Sequence, residues 1–131
     1  MKLKDINFYF KEENIVENCY HVTTKQNKKN ILLEGFNTPI IFSANTEKLS
    51  MDIGRAKYRD CIENIDSIKL KINYKKYLQI PSDILWKNFE YENNVIEFIQ
   101  KLNIIDAIII KGDNKEKVII ILNKNCIKEM R

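Results

Sequence analysis

Hydrophobic and polar positions alternate most cleanly at residues 67–74, "SIKLKINY", where Ile68, Leu70 and Ile72 fall on one side of an extended chain and Lys69, Lys71 and Asn73 on the other. Period two of this kind predicts a strand with one face buried. Two unbroken apolar runs, 107–110 and 118–122, flank a polar turn containing Gly112 and Asp113. Runs without alternation predict strands covered on both faces, here joined as a hairpin. Shorter strands are predicted at 19–23, "CYHVT", and at 38–46, where the proline falls at the strand start.

Helical spacing predicts three further elements. Thr24 can cap a helix over 26–34 that Gly35 stops. Thr46 precedes an apolar face of Leu49, Ile53, Ala56 and Tyr58, which predicts a helix over 47–60, and a third helix is predicted around 92–102. Residues 5–18, "DINFYFKEENIVEN", mix apolar and acidic positions without a clean period and read as a short helix. The sum is an α+β chain of five or six strands and three helices.

At 131 residues, 44% hydrophobic and 31% charged, the chain fits one domain. The net charge of +4 comes from lysines spread along the sequence, which makes a solvated surface a better reading than a nucleic-acid track; Lys69, Lys71, Lys75 and Lys76 belong to that surface. Cys19, Cys61 and Cys126 are odd in number and far apart, so neither a disulfide framework nor a structural metal is expected, and a Cys–His nucleophile would need proximity to His21 that spacing does not supply. No apolar run has the length of a signal segment or a membrane span, so a cytoplasmic location with no membrane partner is expected. Trp86 and Phe89 read as core or as one side of a cleft.

The single histidine lies in "YHVTTKQNKKNILLEGF", 20–36. This stretch resembles the first strand and helix of the ADP-ribosyltransferase superfamily, an aromatic-His-x-Thr strand followed by a helix ending in "ILxxGF". The segments "IIFSANTEKLSMDIGRAKY", "IKLKINYKKYL" and "VIEFIQKLNIIDAIIIKGDNKEKVIIILNKNCIK" resemble the family's later elements in the same order, so the likeness covers residues 19–128 and leaves 1–18 as an N-terminal extension. It implies a single-domain, ADP-ribosyltransferase-like split β-sheet sandwich with short helices. It also implies NAD as cofactor and, as function, mono-ADP-ribosyl transfer to a protein or nucleic-acid acceptor, in the manner of small intracellular toxins or counter-defence effectors.

By the same resemblance His21 would contact the ribose and diphosphate of NAD, with Thr23 on the same strand face. Ser43 would orient the nicotinamide-side ribose or the catalytic carboxylate, and Tyr58 would stack on nicotinamide. Glu116 is the candidate catalytic carboxylate, with Asp113 the fallback; its role would be to stabilise an oxocarbenium-like ribose. Three positions depart from the family pattern. Val22 stands where many members carry glycine, Asn114 where a Glu or Gln would specify the acceptor, and Val118 where the strand alignment expects the glutamate. These departures leave open a second reading, a binding or inhibitor protein of the same fold that docks on a partner. A third, a relative acting on phosphorylated RNA ends or bases, would rely on Arg55 and Arg59.

Overall fold

The computed structural model describes residues 9–82, 96–97, 99–101, 103–112 and 114–131. The alternating segment is the centre of a longer strand, β3, Ile65–Pro81. Along almost its whole length β3 pairs antiparallel with β1, Phe10–Thr24, from Phe10↔Leu78 to Thr24↔Ile65. Its other edge is shared. The first half takes β6, Ile127–Met130, antiparallel, and the second half takes β4, Ala107–Lys111, in parallel.

From β4 the ladder continues through β5, Lys117–Ile121, to β2, Ile41–Ala44, both pairings antiparallel. β2 then meets β1 at Tyr20↔Ala44. Strands β1, β2, β5, β4 and β3 therefore close into a five-strand barrel, with β6 attached to the side of β3. The chain is a small mixed α+β domain made mostly of strands.

Period two now explains the core. Cys19, Ile41, Ile68, Leu70, Ile72, Ala107, Ile109, Ile119 and Ile121 form one buried cluster drawn from all five barrel strands, so this cluster fills the ring. Ile108, Ile110 and Ile120, the alternate residues of the same strands, belong to a second cluster with Leu78, Ile80, Ile96 and Ile99. The described residues of the predicted third helix, Ile96 and Ile99 among them, thus cover the outside of β4 and β5. Both apolar runs are buried on both faces, as their composition predicts.

The helix expected at 5–18 is replaced, from Phe10 onward, by strand. A register shift between Glu12 and Ile15 breaks the alternation that would have marked it. Glu17 adds to the disguise, because it is an acid on the inward face, held there by the Tyr74 hydroxyl at 2.6 Å and the Lys117 ammonium at 2.9 Å. β6 was not expected either; it is a four-residue edge strand whose Ile127 and Met130 pack on the core while Lys128 and Glu129 stay exposed. Trp86, Phe89 and Asp113 lie outside the described residues.

Among the described residues, helix α1, Lys25–Glu34, buries none of its own and leans on the core through Ile31. Its ends hold it instead. Thr24 Oγ1 accepts from the Asn27 N–H at 3.2 Å, and Gly35, at φ 82°, donates its N–H to the Ile31 carbonyl at 2.7 Å. Lys28 adds an ion pair to Asp66 at 3.1 Å. Because packing contributes so little, Thr24→Ala should destabilise α1 by about 1 kcal/mol. Amide exchange of residues 25–34 should then speed up while β3 stays protected; equal exchange in α1 would show that the cap is dispensable.

Helix α2, Glu47–Lys57, is capped by Thr46, which accepts from the Leu49 N–H at 3.2 Å, and it ends at Tyr58, short of the predicted boundary at 60. It lies close against β1. Gly54 is buried, and a Cβ placed there would stand 2.9 Å from Val22 Cβ. Ser50 fixes the contact by donating to the Tyr20 carbonyl at 2.8 Å.

Candidate functional site

His21 occupies the end of β1 where α1, the loop that follows it and the C-terminal end of α2 converge. Its Nδ1 lies 2.6 Å from the Phe42 carbonyl. A carbonyl only accepts, so Nδ1 carries the hydrogen and Nε2 is left as an acceptor. The ring meets Phe36 edge-on, with centroids 5.2 Å apart and planes at 81°. Burial pushes the histidine pKa below its ordinary value; the Phe42 bond opposes this shift and the charge of Lys57 adds to it. His21 is therefore neutral at pH 7, a fixed tautomer on a ring pinned from two sides.

Two cavities share this histidine. The larger, about 430 Å³, lies between β1, the α1 face of Asn27, Asn30, Ile31 and Glu34, the loop Gly35 to Thr38, and Lys57 and Tyr58. Its size falls within the range of about 300–1,000 Å³ usual for small-molecule sites. The smaller, about 60 Å³, is walled by Val22, Ser43, Ser50, Ile53, Gly54 and Val118. His21, Phe42 and Lys57 line both.

The structure thus brings His21, Thr23 and Tyr58 together on the larger cavity. Ser43 borders the smaller one, but its hydroxyl donates to the Ile119 carbonyl at 2.7 Å and is hydrogen-bonded to the buried Cys19 thiol. Ser43 shares a strand face with Ile41, and that face looks into the barrel. Glu116 is exposed ahead of β5 and lines neither cavity. It belongs to a turn in which Asn114 and Lys115 adopt φ of 59° and 66°, and its carbonyl accepts from Gly112 at 2.9 Å. Asn114 is accordingly a left-handed turn residue, a position asparagine fills well. Val118, two residues on, is the member of this strand that reaches the cavity beside His21.

Val22 also finds its explanation. Its side chain packs against Gly54 of α2, so the close approach is made by a small residue on the helix rather than on the strand. The sequence reading missed Lys57, Phe36 and the polar face of α1. Asn27, Asn30, Ile31 and Glu34 recur at helical spacing beside the histidine strand, and that polar stripe was the available signal.

No protein-family model matches the sequence, and no curated protein matches it. Among solved structures, a chain in the crystal structure of the M. tuberculosis MbcT–MbcA toxin–antitoxin complex is similar, with a TM-score of 0.54 and 11% identical residues over 98% of this chain and 89% of that one. At that identity the likeness is one of fold. Among the described residues no cluster of three or more His, Cys, Asp or Glu side chains is arranged to hold a metal ion, and no helix is long and apolar enough to cross a membrane.

Proposed function

We propose that the chain is a mono-ADP-ribosyltransferase of the kind its sequence resembles, with an ADP-ribosyltransferase-like sheet arrangement, binding NAD in the cleft around His21 and acting on a protein or nucleic-acid acceptor as a toxin or effector. The observation that carries this reading is the geometry of His21: neutral, with Nδ1–H given to Phe42 O and Nε2 left to accept from a ligand hydroxyl. The residues around it suit a dinucleotide. Phe36, Phe42 and Tyr58 offer flat apolar surface, Thr23, Asn27 and Asn30 offer hydrogen bonds, and Lys57 offers positive charge.

NAD would supply an ADP-ribosyl group whose bond to nicotinamide breaks through an oxocarbenium-like state. In this chain His21 and Thr23 would hold the ribose and Tyr58 would cover a ring. The fold likeness to a chain from a toxin–antitoxin complex supports a setting in which a protein partner is bound.

A second reading is favoured by Glu116 standing exposed and by Val118, not a carboxylate, lining the smaller cavity. In it the same fold binds its ligand or docks on a partner without turnover. Calorimetric titration with NAD, run beside a nicotinamide-release assay, separates the two. The transferase reading expects the wild type to bind and release and His21→Ala to bind about tenfold or more weakly; if Glu116 is the catalytic carboxylate, although it lines neither cavity, Glu116→Ala binds normally with release abolished. Binding without release points to the docking protein. Absence of NAD binding in the wild type removes the NAD reading altogether.

A further inference from the structure

We propose that Lys57 is the phosphate-binding residue of the cleft, placed beside His21 at the edge of the larger cavity so that a dinucleotide held there has its diphosphate beside this ammonium. The inference rests on the NAD reading above and assigns a residue which that reading does not. Three observations carry it.

Lys57 is one of three residues lining both cavities, the others being His21 and Phe42. The smaller cavity, about 60 Å³, cannot hold a nucleoside, so a dinucleotide lies in the larger one, and a ligand that reaches His21 there also meets Lys57. Among the described residues lining either cavity Lys57 is the one cation, and Glu34, on α1, is the one carboxylate. Its charge is also not neutralised: the ion pairs of the described residues join Lys28 to Asp66, Arg55 to Asp52, Lys117 to Glu17 and Arg131 to Glu129, whereas Lys57 lies over the Tyr58 ring with Nζ 5.2 Å from the centroid. A cation held by an aromatic face keeps its hydrogen-bond donors for an anion. The field of Lys57 reaches His21, where it opposes protonation, so the two side chains act on one volume.

Lys57 is also the last residue of α2, where a cation favours the helix carbonyl end. A residue serving only that purpose would alter stability and leave ligand selectivity untouched, so the test compares ligands that differ in phosphate. Wild type, Lys57→Gln and Lys57→Arg are titrated with NAD, ADP-ribose and adenosine at low and moderate salt, and their Tm values are recorded. The expected result is that Lys57→Gln binds NAD and ADP-ribose about tenfold or more weakly, with a shallower salt dependence. Adenosine affinity should stay unchanged, and Lys57→Arg should recover most of the loss.

If Lys57→Gln binds NAD as well as the wild type does, or loses adenosine and NAD in equal proportion, the phosphate role is overturned while the NAD reading stands. If the wild type binds no NAD, both fall together, and that outcome is told apart from the first by the wild-type titration alone.

Discussion

Gly54→Ala is expected to destabilise the fold, although alanine is the better helix former. On propensity alone the exchange inside α2 would stabilise by about 0.5–1 kcal/mol. Packing reverses the sign. The added methyl would collide with the Val22 side chain, standing 2.9 Å from its Cβ and nearer still to Cγ1, so α2 must move off β1 or Val22 must leave its rotamer. Overpacking of this sort costs about 1–3 kcal/mol. The Ser50 bond to Tyr20 and the walls of the smaller cavity depend on the same approach and should be disturbed with it. Thermal unfolding should show Tm falling by several degrees. Val22→Ala should rescue Gly54→Ala, the double variant being more stable than the sum of the single effects predicts. A Gly54→Ala protein as stable as the wild type would mean that the helix sits farther from the strand.

The second large effect is alkaline destabilisation. Burial pushes the Cys19 thiol from 9.0 up to about 12, with the charge of Glu17 adding to it and the Ser43 bond opposing it. Burial, helped by Asp106, moves Cys126 from 9.0 to about 12 as well, and the Tyr74 hydroxyl is raised by burial and by Glu17. All three folded pKa values lie above the unfolded ones. Between pH 9 and about 12 the folded chain keeps thiol protons that the unfolded chain releases, so the stability present below pH 9 is lost as pH rises.

For Cys19, with no exposed surface, the loss by pH 10.5 is on the order of 2 kcal/mol. Urea unfolding at pH 7.5 and 10.5 should show it. Cys19→Ala, whatever its baseline, should lose less on going to the higher pH. An equal loss in both proteins would assign the effect to groups other than this thiol.

Much of the fold was legible where one local rule acted alone. The alternation at 67–74, the doubly apolar runs at 107–110 and 118–122, and the caps at Thr24 and Gly35 each reflect a single requirement, and each appears where it was expected. The first half of β1 was hidden because a bulge and an inward Glu17 erased its period. Barrel closure was hidden for another reason: β3 pairs with chain segments before and after it, and no local pattern encodes those partners.

The site divides in the same way. His21, Thr23 and Tyr58 share a cavity because strand spacing and the end of α2 place them there. Ser43 follows the inward face of β2, and Glu116 follows a turn whose left-handed residues set its position. Lys57 looked like one more surface lysine, since no local pattern shows that two cavities meet beside it.

The closure of the barrel also fixes when the site comes into being. The Phe42 carbonyl that orients His21 belongs to β2, and β2 is held by four paired positions on β5 against a single one on β1. During synthesis, β1 and β3 can zip together once residue 81 has left the ribosome, yet β2, with a single paired position on β1, still lacks the β5 ladder that seats Phe42 against His21. Only after residue 121 has emerged does β5 arrive to seat β2 between itself and β1. A prematurely released product can therefore own the histidine and most of its strand without owning the site, and whatever activity the cleft has is withheld until β5 has been made.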